Sequence, residues 1–291
     1  MPTRCAVNAL AGREALLANL PNPARKKKVV VVGGGPAGME AARTAASRGH
    51  RVVLFERERE LGGALEAAGA PAFKEDVRRY LQWARRATFE TPGVEVRVST
   101  EATPAAIRAE APDALVIAIG AVPVIPAIPG VERESVVWAG DVDAGKVGTG
   151  DRVLVVGAGM TGCETALHLA QAGKTVTVID MLPIEETAAD ASAWNLNALR
   201  GLLNQLGVEV RGETRLERVT GAGIVVRAKG AAECEIECDT VVLSAGMTPR
   251  EDQVRDLGGL ADDVYAVGDC GRERGNLFHA VADGFNAAME I

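Results

Sequence analysis

The sequence predicts an α/β protein of two domains, each an open parallel sheet flanked by helices, with the second domain inserted into the first. Three observations predict it. An apolar run, Val29-Val30-Val31-Val32, enters a glycine turn, Gly33-Gly34-Gly35-Pro36-Ala37-Gly38, which opens a helical segment; a second apolar run, Val52-Val53-Leu54-Phe55, then ends on Glu56. The same order of strand, turn, helix, strand and acid returns at Val153-Leu154-Val155-Val156, Gly157-Ala158-Gly159-Met160-Thr161-Gly162 and Thr175-Val176-Thr177-Val178-Ile179, ending on Asp180; the offset is 124 residues both from Gly33 to Gly157 and from Glu56 to Asp180. Last, an apolar strand at Val264-Tyr265-Ala266-Val267 ends on Gly268-Asp269, well beyond the second motif, so the chain returns to complete the first sheet.

Each part of the repeated motif has a job if a dinucleotide sits there. Gly33 and Gly157 permit the tight turn. Gly35 and Gly159 carry no side chain, so a pyrophosphate can approach the backbone. Gly38 and Gly162 let helix and strand pack closely. Pro36 and Ala37, and Met160 and Thr161, form the first helical turn, whose free N–H groups and positive dipole end face the phosphates. Glu56, with Arg57 beside it, and Asp180 are placed to accept hydrogen bonds from a ribose diol. The expected fold is therefore two Rossmann-like dinucleotide-binding domains.

Composition narrows the class. A length of 291 residues suits two domains with a core each, and a net charge of −7 argues against a general nucleic-acid binder. The basic run Arg25-Lys26-Lys27-Lys28 directly precedes a strand and reads as a solvated lead-in. No apolar stretch has the length of a membrane span and no secretory signal opens the chain, so the cytoplasm is the expected compartment. Five cysteines, none in a C-x-x-C pair, argue against a disulfide framework. Cys163 and Cys270 read as small packing residues, whereas Cys234 and Cys238 share a strand face where a metal site is an alternative to plain surface thiols.

Taken in order, residues 1–27 form an arm, with a short helix expected over Gly12–Ala18 and a break at Asn19-Leu20-Pro21-Asn22-Pro23. The first domain, 28–148 plus 245–291, contains the Gly33 motif and the paired glycines Gly62-Gly63, which signal either a ligand close to the backbone or a tight loop. It continues with helical spacing over Phe73–Thr88, an alternating strand at Val94, Val96 and Val98, and a buried strand Ala114–Ile119 ending at Gly120. Pro123, Pro126, Pro129 and Gly130 punctuate a crossover. The second domain, 149–244, continues past Asp180 with a helix over Ala191–Leu206, a strand at Val208–Val210 and an antiparallel set at Arg215–Val219, Gly223–Ala228 and Glu233–Cys238. Thr240-Val241-Val242-Leu243-Ser244-Ala245-Gly246 repeats the strand-to-glycine pattern of Gly120, and Leu277–Met289 is a final helix. Of the histidines, His50 reads as a helix cap, His168 as a surface or packing residue, and His279 as a helix-surface residue with an approach to the first crevice as its alternative.

With these pieces in place, the chain from Lys28 to Ile291 resembles the two-dinucleotide-binding-domain flavoproteins, through both glycine motifs with their acids, Ala118-Ile119-Gly120 and Tyr265-Ala266-Val267-Gly268-Asp269. The resemblance implies FAD at Gly33, Gly35, Pro36, Ala37, Gly38, Glu56, Arg57, Gly63 and Gly120, with Gly268-Asp269 holding its ribityl–pyrophosphate region. It implies NADH at Gly157, Gly159, Met160, Thr161, Gly162, Asp180 and Gly246, with Glu164 beside the nicotinamide as the candidate catalytic residue. The redox cysteine pair of the disulfide reductases is missing, so direct disulfide reduction is not expected.

The arm narrows the resemblance. Cys5-Ala6-Val7-Asn8-Ala9-Leu10-Ala11-Gly12-Arg13-Glu14 looks like the C-x-V-N-P-x-x-G-R-E segment of the 2,4-dienoyl-CoA reductase and trimethylamine dehydrogenase group, with Ala9 in place of the usual proline. Met181-Leu182-Pro183 and Trp138-Ala139-Gly140-Asp141-Val142 look like the same group. There an FMN-bearing barrel and a 4Fe–4S cluster precede the FAD and NADH half, and the cysteine corresponding to Cys5 is the last cluster ligand. The resemblance therefore implies an electron-transfer half that serves a barrel domain or subunit reducing an enone-type substrate. Cys5 is expected to be a free, exposed thiol that becomes a ligand only with three further cysteines in place. Two alternatives come from related proteins: ADP in the first site of a structural half, as in the trimethylamine dehydrogenase branch, or a stand-alone reductase subunit for a separate iron–sulfur partner, as the small subunit of glutamate synthase resembles. No basic residue directly follows Asp180, so NADH is expected in preference to NADPH.

Overall fold

The structure is a computed structural model that describes residues 4–17, 23–188, 192–272 and 275–291. In chain order it contains α1 (Glu14–Leu17), β1 (Lys28–Val32), α2 (Pro36–Ser47), β2 (Arg51–Phe55), α3 (Leu65–Gly69), α4 (Glu75–Glu90), β3 (Val94–Arg97), α5 (Pro104–Glu110), β4 (Ala114–Ile117), β5 (Ala121–Pro123), β6 (Val136–Trp138) and α6 (Ala139–Asp143). The chain continues with β7 (Arg152–Val156), α7 (Met160–Gln171), β8 (Thr175–Ile179), α8 (Ala193–Gln205), β9 (Glu209–Arg211), β10 (Thr214–Val219), β11 (Gly223–Ala228), β12 (Glu233–Glu237), β13 (Thr240–Leu243), β14 (Met247–Pro249), α9 (Glu251–Leu257), β15 (Asp263–Ala266) and α10 (Leu277–Glu290). Short 3₁₀ turns lie at Ala72–Lys74, Ile184–Glu186 and Gly268–Cys270.

Two compact units result: Met1–Glu66 with Glu75–Val122 and Met247–Ile291, and Ala67–Lys74 with Pro123–Gly246. The first is built on a five-stranded sheet of order β15-β4-β1-β2-β3, parallel throughout. β-Branched residues fill β1, and Val29, Val30, Val31 and Val32 are all buried, as a central parallel strand covered on both faces requires. One face packs on α2, α4 and α10 through residues such as Met39, Leu81 and Phe285. The other packs on α5 and α9 through Ile107 and Leu257. Pro36 sits in the first turn of α2, Thr103 caps α5 by accepting the Ala106 N–H, and Asn276 caps α10 by accepting the His279 N–H.

The second unit repeats the plan in a sheet of order β6-β13-β7-β8-β9, also parallel. Helices α6, α7 and α8 cover one face. The antiparallel sheet β10-β11-β12, expected from its glycine turns, packs its apolar residues with those of the other face. The outer strand beside β13 was not foreseen. Residues 136–138, expected in a crossover belonging to the first domain, pair parallel with β13 and complete the second sheet. Thus the fifth strand comes from after the motif in the first unit and from before it in the second. Residues 67–74 also fall in the second unit, so its extent differs from the expected 149–244.

The arm lies against the first unit. Ala9 is buried, Arg13 sits over the Phe285 ring at 5.2 Å, and its Nη1 donates to Asn286 Oδ1 at 3.3 Å. The helix expected over Gly12–Ala18 is the single turn α1; Ala18 and the break at Asn19–Asn22 lie outside the described residues, as does Ala191 at the start of the expected α8. Among the described residues no helix is long and apolar enough to cross a membrane.

Candidate functional site

Each parallel sheet reverses its winding beside its first motif strand, at β1/β4 in one unit and at β7/β13 in the other, and the glycine turns lie at the carboxyl ends of those strands. Such a reversal leaves a crevice where nucleotides bind in sheets of this class.

Within each turn the three glycines are held for different reasons. Gly33 has φ +101°, and a Cβ on it would sit 2.4 Å from the Ala118 carbonyl oxygen; Gly157 has φ +112° and the same conflict with Ser244 O at 2.2 Å. A Cβ on Gly38 would sit 1.9 Å from Gly33 O, and one on Gly162 would sit 1.9 Å from Gly157 O. The fold itself demands these four. Gly35 and Gly159 differ. Their backbones are extended, with φ −70° and ψ −178° at Gly35 and φ −65° and ψ 177° at Gly159, which any residue adopts. A Cβ on either would meet nothing within 4 Å. Each is the N-cap of a twelve-residue helix, where Ser, Asp or Asn would supply a capping oxygen that glycine lacks. The empty space above both turns is what a pyrophosphate needs, so the turns fit the expected dinucleotides.

The acids Glu56 and Asp180 occupy matching places. Glu56 is buried; its Oε2 accepts the Gly34 N–H at 2.7 Å and its Oε1 the Glu58 N–H at 2.8 Å. Asp180 Oδ2 accepts the Ala158 N–H at 2.7 Å and Oδ1 the Leu182 N–H at 2.8 Å. Each carboxylate therefore ties the second residue of its turn to the end of the next strand. A carboxylate has about four acceptor sites, so lone pairs remain for a diol.

Other expected residues gather in the first crevice. Gly62 N–H donates to Gly34 O at 2.9 Å, and Gly63 lies so near Gly35 that its Cβ would be 3.2 Å from the Gly35 Cα. Gly268 abuts Ala37, for a Cβ on it would sit 3.1 Å from the Ala37 Cβ, so the late Gly-Asp turn reaches the start of α2. Asp269 follows it, and burial raises its carboxyl pKa, with Asp283 adding to the rise and Arg272 and His279 opposing it. Gly120 and Gly246 lie three residues past the ends of β4 and β13, beside open space. Arg57 is exposed, 3.4 Å from Glu58. Burial, then the charge of Arg57, depresses the pKa of Arg250.

In the second unit Met160 is half-buried and Thr161 exposed on the first turn of α7. Glu164, expected beside a nicotinamide, is ion-paired with Lys74 of the 67–74 segment. Lys74 carried no sequence signal, because its partner lies ninety positions away. A second cluster was also missed. Asp143, nearly fully buried, accepts the Thr165 hydroxyl at 2.7 Å and bonds His168 Nδ1 at 3.0 Å. His168 is thus tied to α6, not merely packed on a surface.

Two further expectations are corrected. The His50 side chain does not cap α2, whose C-cap is Arg48; only its backbone N–H takes part, donating to Ala45 O at 3.2 Å. Its ring is buried and Nδ1 accepts the Lys27 N–H at 3.1 Å, joining the lead-in of β1 to β2. Burial, then the nearby charges of Arg48 and Lys27, lowers its pKa. Cys5 is free but half-buried, not exposed, because it bridges back to Asn8 in the folded arm. His279 lies in the first turn of α10 with its ring edge-on to Phe278. Cys163 and Cys270 are buried as expected, and burial pushes the Cys163 thiol up to about 11. Cys234 is exposed and Cys238 half-buried, and no group of three or more His, Cys, Asp or Glu side chains able to hold a metal forms among the described residues.

Residues 27–284 match the pyridine nucleotide-disulphide oxidoreductase family. The chain is 38% identical to an NADH oxidase of Thermoanaerobacter brockii, covering 99% of this chain and 44% of that one. It is 37% identical to a bilirubin reductase of Mediterraneibacter gnavus, covering 98% of this chain and 44% of that one. Among solved structures it superposes on 2-naphthoyl-CoA reductase with a TM-score of 0.91 at 34% identity, covering 99% of this chain and 43% of that one. The chain spans less than half the length of these relatives.

Proposed function

The chain belongs to the pyridine nucleotide-disulphide oxidoreductase family as an NAD(P)H-dependent flavin oxidoreductase domain, and from that premise we propose that it oxidises NADH with bound FAD as hydride acceptor and serves an iron–sulfur and FMN-bearing partner that reduces an enone-type substrate. When bound, the flavin supplies the exchange between two-electron and one-electron chemistry. The chain's residues bind and orient. Gly33, Gly35, Pro36, Ala37, Gly38, Gly63 and Gly120 offer backbone to the first nucleotide, Glu56 takes its ribose, and Arg57 stands at the rim. Gly157, Gly159, Met160, Thr161, Gly162 and Gly246 offer the same to the second, with Asp180 on the adenosine ribose.

The observation that carries this reading is the pair Gly35 and Gly159, open above and without a conformational reason to be glycine. Three further observations refine it. Asp269, half-buried next to the Gly268 turn, supports FAD over ADP, because ADP has no ribityl chain for it to hold. Asp180 leaves a carboxylate where NADPH would place a 2′-phosphate, and the nearby cation Arg200 is engaged by Ile184 O and by Thr187 Oγ1 at 3.2 Å. Both support NADH. Glu164, held by Lys74, is the candidate for positioning the nicotinamide end. Cys5, in its folded arm, is the candidate ligand for a cluster whose other cysteines the partner brings.

The test is anaerobic titration of FAD-loaded protein with NADH. Bleaching of the flavin band is expected. A flavin band left intact by NADH, or release of ADP with no flavin from the purified protein, would refute the proposal.

A further inference from the structure

We infer that the outward face of α8 is a self-association surface, through which two copies of this chain pair antiparallel about a two-fold axis at Ala198. Helix α8 turns Leu196, Leu199 and Leu203 into the second unit. At about 100° per residue, Trp194 points almost directly away from them. It is 86% exposed, more than any other large apolar side chain among the described residues. Burial of a tryptophan contributes more to association than that of most side chains, and nothing among the described residues covers this one.

Ala198 and Gly201 follow Trp194 by one and two turns on the same side. Gly201 stands in the helix interior, exposed, and a Cβ on it would meet nothing within 4 Å. Glycine is among the poorest residues for a helix interior, so the fold of this chain gives no reason for it. A close-approaching surface does.

Charge selects the partner. About a quarter of the residues in this chain are charged, yet α8 carries only Arg200, which is turned to Ile184 and Thr187. The outward residues are Trp194, Asn195, Asn197, Ala198, Gly201, Leu202, Asn204 and Gln205. A face that meets its own copy across a two-fold axis cannot carry a charge near that axis without opposing itself. Interface centres lose charge and gain aromatics in the same way.

The spacing is self-complementary. With Ala198 on the axis, Trp194 of one copy falls against Gly201 and Leu202 of the other, and Ala198 meets Ala198. Small residues at the crossing let the helices approach to about 8 Å. Two indoles contribute about 400 Å² of buried surface, and a contact of one helix on another falls in the class of weak interfaces, below about 1,200 Å². The dimer is therefore weak, with a dissociation constant on the order of tens of micromolar. Each copy carries net charge −7, so added salt tightens it by screening the repulsion.

Sedimentation equilibrium of the FAD-loaded chain from about 5 to 500 μM tests this. The average mass is expected to rise toward twice the monomer value, and to rise sooner at high salt. Trp194→Ala is expected to weaken association at least tenfold with unchanged circular dichroism. Gly201→Ala separates association from folding: it raises the melting temperature by improving the helix, yet weakens association by filling the space the indole needs. A wild-type chain that stays monomeric throughout overturns the inference, as does association unaltered in both variants.

Discussion

Single alanine substitutions in the glycine turns separate the demands of the fold from those of the ligand. Consider Gly159→Ala and Gly162→Ala. At Gly162 the new Cβ would stand 1.9 Å from Gly157 O and 3.2 Å from Ser244 Cβ. Helix α7 must withdraw from the turn by roughly 1 Å, and forcing a methyl into a packed site costs about 1–3 kcal/mol. At Gly159 the Cβ meets nothing within 4 Å, and the backbone, at φ −65° and ψ 177°, already suits alanine. Replacing a glycine N-cap by alanine costs under about 1 kcal/mol. What the methyl does occupy is the place where a phosphate must come within hydrogen-bonding distance of the first N–H groups of α7. Losing one or two charge-assisted hydrogen bonds, each worth about 1.5–3 kcal/mol, weakens binding on the order of a hundredfold.

The assay pairs urea unfolding with NADH binding and with the nucleotide content of the purified protein. Gly159→Ala should unfold within about 1 kcal/mol of wild type, keep its flavin and lose NADH affinity. Gly35→Ala should be its mirror image, with the flavin lost and NADH binding kept. Gly38→Ala and Gly162→Ala should lose stability as well as ligand. A Gly159→Ala protein that binds NADH like wild type, or that unfolds as readily as Gly162→Ala, refutes the assignment of that space to a pyrophosphate.

Replacing Asp180 by alanine together with Met181→Arg should shift the preference from NADH toward NADPH by at least tenfold in kcat/KM; an unchanged ratio would show that Asp180 does not face the ribose. His50 contributes to stability in its neutral form. Its folded pKa lies below the ordinary 6.5, so that stability is complete above about 6.5 and is lost as pH falls through the lowered value. His50→Asn keeps an acceptor for the Lys27 N–H and should flatten the acid side of the stability profile, which urea midpoints between pH 5 and 8 would check. Ellman's reagent at pH 8 should label the exposed Cys234 first. The buried Cys163 and Cys270 should react only on unfolding, and early labelling of Cys163 would contradict its burial.

The sequence made some parts of this molecule plain because one short stretch carried all the information. β1 with its glycine turn, β7 with its own, and the acids Glu56 and Asp180 are local patterns, and the structure puts them where the patterns say. β6 was illegible for the opposite reason. Val136-Val137-Trp138 is three residues long and follows a stretch broken by Pro123, Pro126 and Pro129, and only β13, a hundred positions away, makes it a strand. The same holds for Lys74, which has no meaning until Glu164 is beside it, and for His50, whose partner is a backbone N–H. Asp143 could have been suspected: an acid in the buried helix that follows β6 needs donors, and His168 and Thr165 stand three apart on one helix face.

The two acids show why a local pattern can be so reliable. Glu56 and Asp180 each accept two backbone N–H groups, one from the turn and one from two residues further on. An asparagine or glutamine there could supply only one oxygen, and its NH₂ group would face a donor. The turn's geometry therefore depends on the same carboxylate that the ribose would use. If the proposed ribose contact holds, one side chain answers to both folding and binding, and the acid and the glycines form a single unit. A chain that kept the turn but lost the acid would pay twice, with a loosened turn and an unheld ribose. Both motifs accordingly keep the same 23 positions from first glycine to acid, even where the strands that complete each sheet come from opposite ends of their domains.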